Sequence, residues 1–424
     1  MRYCFFIICS YLLTMPNSVA QYLLSPDELA ETRTYKSLEE ALENKDFVYI
    51  LDLRSQKLTE LDKNIGKLTK LQVLYLDRNE LGDLPESIGK LENLQVVKLN
   101  NNQLNALPKS FSKLRNIEQL QLRYNNLTNI PEDFNNLANL ISLDLRDNQL
   151  SVLPESFSEL GNLEKLELAY NELGALPNTL GNLNSLQKLN ISGNPIGELP
   201  SNFDQLQQLQ YLDVSYSNIN ARDITSTLVN LNNLSHLNMS GLSLQQLPDA
   251  FGQLEQLRKL VLQKTLMDEL PIVITTLNRL EQLDLNETSI QNLPDEIGNM
   301  SALEELSVKS GQLKLLPNGI GRLKKLKLLR LEYNQITVLP VEIGDLPNLQ
   351  TIYLKNNQLT TLPESIGNLQ KLRIAELQNN QIAQLPKTIV NLERLTGLYL
   401  MSNPLSTEHL EELRQWLPES DIQF

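Results

Sequence analysis

Only two histidines occur in this chain of 424 residues, and one of them, His236, stands between Asp213 and Ser240. Acid, base and hydroxyl are the ingredients of acyl transfer, in which a carboxylate orients an imidazole that takes the proton of an attacking serine. The trio lacks what that chemistry further needs, a water-excluding cavity and a turn whose backbone N–H groups hold an oxyanion. His409 falls in a helical pattern near the C-terminus, where solvating its own charge is the ordinary role. No metal-ligand spacing, phosphate-binding glycine loop or catalytic cysteine is present. Neither metal nor cofactor is expected, and the chain reads as non-enzymatic. Tyrosine offers a different chemistry. Tyr75, Tyr124, Tyr170 and Tyr211 begin a series continued by Tyr216, Tyr333, Tyr353 and Tyr399. Each presents a large apolar ring, a polar tip and few torsions to freeze, which is why binding surfaces are rich in tyrosine. Strands favour it too.

These residues keep step with a repeat. Counted from a central apolar anchor, a unit recurs every 23 residues from Leu51 to Leu398, sixteen copies in all, with one step of 25 between Leu212 and Leu237. Leu71, Leu74, Leu76, Asn79 and Leu81 spell LxxLxLxxNxL, and Leu84-Pro85, Ile88-Gly89 and Leu91 continue it as LPxxIGxL. Alternation of Leu74 and Leu76 around Tyr75 marks a strand with one buried face, and identical strands this far apart pair only in parallel. One copy is too small to bury its own apolar side, so the copies must stack. All eight tyrosines and His236 then fall in outward strand or strand-exit columns, with Tyr124, Tyr170 and Tyr216 in one column at alternate copies. These nine are the candidate ligand-binding set.

Asn79 and its equivalents Asn102, Asn125, Asn148, Asn171 and Asn194 occupy the turn leaving the strand, where an amide can satisfy stranded backbone groups. This ladder lapses at Ser217, Leu242, Thr265, Thr288 and Gly311, then returns at Asn334, Asn357, Asn380 and Asn403. Serine and threonine keep part of the bonding; Leu242 and Gly311 cannot. The block is therefore expected to open first. It reflects either neutral drift or a change of curvature setting two tyrosine groups at an angle. Thirteen copies carry a Leu-Pro or Ile-Pro step into a short turn on the far side. Gly89 and its equivalents are expected to end that turn.

The pattern resembles the leucine-rich repeat family, in the 23-residue class whose copies continue with LPxxIGxL, and covers about five-sixths of the chain. That resemblance implies an α/β solenoid: a curved horseshoe with a parallel β-sheet on the concave face and short helical or 3-10 turns on the convex face. Animal extracellular members usually carry disulfide-rich caps; here the caps must be built from packing, which points to exported bacterial members.

Residues 1–20 read as a signal peptide, with Arg2 at the start, an apolar run from Cys4 to Leu13 and small residues at Ser18-Val19-Ala20. The run is too short to span a bilayer. It holds both cysteines, Cys4 and Cys9. Residues 21–49 form an N-terminal cap with a capping box at Ser37 and Glu40, residues 50–404 the array, and residues 405–424 a helical cap whose Leu410, Leu413 and Trp416 cover the last coil. The destination is the periplasm, the cell surface or the medium, the alternative being a cytoplasmic protein with an apolar start. A formal net charge of -14 should repel nucleic acid and anionic lipid, and membrane insertion of the mature chain is not expected. The expected function is a recognition scaffold binding a protein along its concave face. The alternatives are a structural spacer, or a glycan or other cell-surface polymer stacked on tyrosines, with Asp144, Glu167, Asn190 and Asp213 accepting its hydroxyl hydrogens.

Overall fold

In the computed structural model, which describes residues 23–220, 223, 227–418 and 420–424, every repeat anchor sits at the centre of a three-residue strand. The expected leader and its two cysteines lie outside the described residues. Sixteen strands, β2 (Ile50–Asp52) through β17 (Gly397–Tyr399), supply one per copy. Each pairs in parallel with the next at constant register, so that Leu51 opposes Leu74 and Leu74 opposes Val97. The long step changes nothing in the sheet: Leu212 of β9 (Tyr211–Asp213) still faces Leu237 of β10 (His236–Asn238), and the two extra residues are absorbed outside it. Central leucines and those two places later, such as Leu74 and Leu76, are wholly buried, and one apolar core runs unbroken from Tyr35 to Leu417. Phe111, Phe134, Phe157, Phe203 and Phe251 fill its outer side, with the rings of Phe134 and Phe157 stacked at 6.0 Å.

The far side of each coil is a 3-10 turn, as in Glu86–Lys90, entered from Pro85 in an extended conformation. The glycines do not end these turns. Gly89 lies one residue inside, and a Cβ there would approach the carbonyl oxygen of Ser110 in the next coil to 2.4 Å. The residue is glycine because neighbouring coils touch backbone to backbone at that point.

Both ends are more elaborate than their sequences suggest. Ahead of the array, Ser25 and Glu28 form a complete capping box on α1 (Pro26–Ala30), and β1 (Thr34–Tyr35) extends the sheet beside β2. Ser37 caps α2 (Leu38–Glu43) from one side only, because the Glu40 carboxylate pairs with Arg33 instead of closing the box. At the other end α3 (Thr407–Trp416) is capped by Ser406 and followed by β18 (Asp421–Gln423), which pairs with β17. His409 is not a solvated charge. It is buried, its Nε2 accepts the Leu385 N–H at 2.9 Å, and its ring meets Trp416 edge-on at 5.6 Å. Together with Leu413 it covers the final coil, while Leu410 stays partly exposed.

The amide ladder ties coil to coil. Asn125 Nδ2 donates to Leu122 O in its own coil and to Leu99 O in the preceding one, and its Oδ1 accepts the N–H of Leu104. Thr265 and Thr288 keep only the bond within the coil, to Leu262 O and Leu285 O, as Ser217 does to Val214 O. The freed Leu244 N–H turns to Leu242 O. Strand pairing continues through this block, so its deficit is the missing cross-coil amide, worth about 1 kcal/mol per hydrogen bond. Strands β10 to β13 (Glu305–Ser307) are accordingly expected to exchange amide hydrogens about tenfold faster than β4 (Val96–Lys98) to β7 (Lys165–Glu167). Equal protection would contradict this account of the ladder.

Candidate concave recognition face

Outward side chains of the strands, and of the residues leaving them, form one continuous surface. Tyr75, Tyr211, Tyr353 and Tyr399 lie within strands and are half-buried among their neighbours. Tyr124, Tyr170, Tyr216 and Tyr333 lie just beyond strand ends, 48, 58, 47 and 48% exposed, with φ between 53° and 58°. The left-handed conformation recurs at this position in copy after copy, because the chain must turn sharply out of the strand there. Glycine and asparagine adopt it most cheaply, and Gly193, Gly241, Asn101, Asn356 and Asn379 stand at the equivalent places.

Two devices hold the rings. Tyr170 lies against Gly193 and Tyr216 against Gly241, close enough that a Cβ on either glycine would come within 2.6 Å of the ring. Elsewhere cations sit on the tyrosine faces: Arg54 and Lys98 lie 4.9 and 5.4 Å from the Tyr75 ring, Arg123 5.2 Å from Tyr124, Lys309 5.8 Å from Tyr333 and Arg330 4.6 Å from Tyr353. Such contacts orient an aromatic ring without covering it. The sequence carries a faint signal for the first device, a glycine one copy after a tyrosine, and none for the second.

The acyl-transfer trio is not assembled. His236 pairs across the sheet with Tyr211, its ring 6.2 Å from the phenol, and its Nδ1 meets Ser235 Oγ at 2.8 Å. Asp213 instead takes the Ser215 hydroxyl at 2.6 Å and the Asn238 amide at 3.0 Å, while Ser240 donates to Asn238 Oδ1 at 2.6 Å. Burial and the neighbouring Lys259 hold the imidazole below its usual pKa. Burial, followed by the charge of Asp213, pushes the Tyr211 phenol up to about 12, so both rings are neutral at physiological pH. Among the described residues no cluster of histidine, cysteine or carboxylate side chains could hold a metal ion. No helix among them is long and apolar enough to cross a membrane.

Toward the N-terminal end, between β2 and β7, the concave face deepens into a hollow of about 730 Å³. Seven basic and three acidic side chains line it, on a chain whose formal net charge is -14. Arg54 is engaged with Asp52 at 2.6 Å and Arg146 with Asp144 at 2.7 Å, and the hydrogen bond from Arg54 holds the Asp52 carboxyl below its usual range. Arg78, Lys98 and Arg123 have no carboxylate within 4.0 Å among the described residues. Just beyond, the buried Glu167 is held by Lys188 at 2.9 Å and Lys165 at 3.6 Å.

Comparison with known proteins agrees with this architecture. A leucine-rich repeat region model matches residues 31–166, 117–193, 220–315 and 314–417, and a single leucine-rich repeat model matches 185–206. No curated protein matches. Among solved structures, a leucine-rich repeat protein of Leptospira interrogans is 37% identical, with a TM-score of 0.87, over 93% of this chain and all of the other. The Arabidopsis receptor kinase HAESA, solved with the peptide hormone IDA and the co-receptor SERK1, is 25% identical over 88% of this chain and 73% of its own, with a TM-score of 0.58. The functional domain of InlJ from Listeria monocytogenes shares the fold at 20% identity and a TM-score of 0.65, over 86% of this chain and 70% of its own.

Proposed function

We propose, from the premise that this chain belongs to the leucine-rich repeat family, that it is a non-enzymatic scaffold holding a protein or peptide partner along its concave face. The observation that carries this reading is the conformation of Tyr124, Tyr170, Tyr216 and Tyr333. Strand propensity does not account for them, because their φ of 53–58° is not a strand conformation. Core packing does not account for them either, because about half of each is exposed. A ring placed where glycine or asparagine would fit more cheaply, and braced from beneath, is a ring placed for contact. The Arabidopsis relative, solved with a peptide hormone, supports a peptide or protein as the ligand class. The glycan alternative is weakened because Asp144 and Asp213 already spend their oxygens on Arg146, Ser215 and Asn238, and Glu167 is paired with Lys188.

The 23-residue period and its LPxxIGxL continuation assign the chain, on this proposal, to the class of the family that carries them. Residues 1–20 would be removed on export, leaving the cap 21–49, the array 50–404 and the helical cap 405–424 at the cell surface, in the periplasm or in the medium. The apolar leader supports that route. The binding set is Tyr75, Tyr124, Tyr170, Tyr211, Tyr216, His236, Tyr333, Tyr353 and Tyr399. A triple alanine variant at Tyr124, Tyr170 and Tyr216 is expected to recover its partner from envelope extract at least about tenfold less well than the parent, since loss of an aromatic anchor costs about 2 kcal/mol. Undiminished recovery at an unchanged melting temperature would discard the proposal.

A further inference from the structure

We propose that the hollow between β2 and β7 is a subsite for an acidic peptide segment, bound extended across the strands by carboxylates at alternate residues. This inference rests on the concave-face reading above and adds the chemistry of the partner. Seven cations line the hollow against three carboxylates, and with Lys165 paired to Glu167 just beyond, three positive charges remain in excess, although the chain as a whole is strongly acidic. Arg78, Lys98 and Arg123 belong to consecutive copies and make no ion pair with a carboxylate among the described residues, so their charge is directed at whatever enters. Lys98 and Arg123 also lie against the rings of Tyr75 and Tyr124, which limits the freedom they would lose on binding. Arg54 and Arg146, each fixed by an aspartate, bound the hollow on either side.

Charge spacing selects the ligand. Five strand intervals of about 4.8 Å give the hollow a length of roughly 24 Å, or one excess positive charge every 8 Å or so. An extended peptide places the side chains of alternate residues about 6.7 Å apart on one face, so a glutamate or aspartate at every second residue comes near that density. Double-stranded nucleic acid carries about one charge per 1.7 Å and would meet Asp52, Asp77 and Asp144 along the same wall. The amides of Gln56, Asn101 and Gln121 complete the lining with groups that can both donate to and accept from a peptide backbone.

The test is fluorescence anisotropy with the purified full chain and a labelled decapeptide bearing glutamate at alternate positions. A peptide with glutamine at the same places is the control. The glutamate peptide is expected to bind at least about tenfold more tightly than the control, and to weaken as salt rises from 50 to 200 mM. Neutralising the hollow with Arg78→Gln, Lys98→Gln and Arg123→Gln should remove at least about tenfold of that affinity. The convex variant Lys90→Gln, Lys109→Gln, Lys113→Gln should keep it, and thermal melts check that both variants fold. Equal binding of the two peptides, or equal loss in both variants, overturns the proposal. So does tighter binding of a heparin hexasaccharide or single-stranded DNA than of the glutamate peptide. A Tyr170, Tyr216 double alanine variant, whose rings do not line the hollow, should still bind the peptide, so failure of the subsite and failure of the tyrosine face give different results.

Discussion

Replacing Asn148 with leucine is expected to destabilise the array by about 3 kcal/mol, although leucine is the commonest residue of this core and fits the polarity of its surroundings. The reason lies in what the amide holds. Its Nδ2 donates to Leu145 O and, across the coil boundary, to Leu122 O, both at 3.0 Å; its Oδ1 accepts the Leu127 N–H at 3.0 Å. A leucine leaves the Leu127 N–H without a partner in a region sealed from water, which costs about 1–3 kcal/mol, and strips Leu122 O of one of its two amide donors, leaving only Asn125. Both belong to the neighbouring coil, so the loss falls on the contact between copies, the term on which a stacked repeat depends. Asn148→Thr should cost about 2 kcal/mol, because a hydroxyl there can reach only its own coil, as Thr265 and Thr288 do. Urea unfolding followed by circular dichroism measures both; a leucine variant within about 0.5 kcal/mol of the parent would show that the ladder does not clamp the coils.

Gly344→Ala is expected to cost about 2 kcal/mol, and Gly252→Ala almost nothing. An alanine introduced into an ordinary turn stabilises by about 0.4–1 kcal/mol, because it restricts the unfolded chain. At Gly344 the sign reverses. Its Cβ would stand 2.2 Å from the Ser365 carbonyl oxygen and 2.6 Å from Ser365 Cβ, so neighbouring backbones would have to part. At Gly252 the nearest atoms are the Thr276 hydroxyl at 3.0 Å and a Val273 methyl at 3.2 Å, side-chain atoms that can give way. Thermal unfolding of the two variants separates a coil contact from a turn preference. Equal effects would mean that the glycines serve the turn alone.

How much of this was legible in the chain depends on the distance over which each signal acts. Strand centres, their parallel pairing and the buried leucines follow from an alternation of period two inside a repeat of 23, and all lie where that pattern predicts. The tyrosine columns follow from the same register. The edge strands β1 and β18 are too short to show alternation, and His409 looks like any histidine on a polar helix until the helix is seated on Leu385. The basic hollow leaves no run in the sequence. Arg54, Arg78, Lys98, Arg123 and Arg146 are each about one repeat apart, mixed with acids, and only stacking brings them onto one wall. The role of the turn glycines is hidden for the same reason, since the atom each avoids belongs to the next copy.

We place the working surface of this solenoid on its concave side. Three chains loaded equally on resin and exposed to the same envelope extract would test it: the parent, the Tyr124, Tyr170, Tyr216 triple alanine variant, and the convex Lys90, Lys109, Lys113 triple glutamine variant. A partner retained by the parent and the convex variant but lost from the tyrosine variant is the result expected. A partner that stays with the tyrosine variant and leaves with the convex one would place the working surface on the other side.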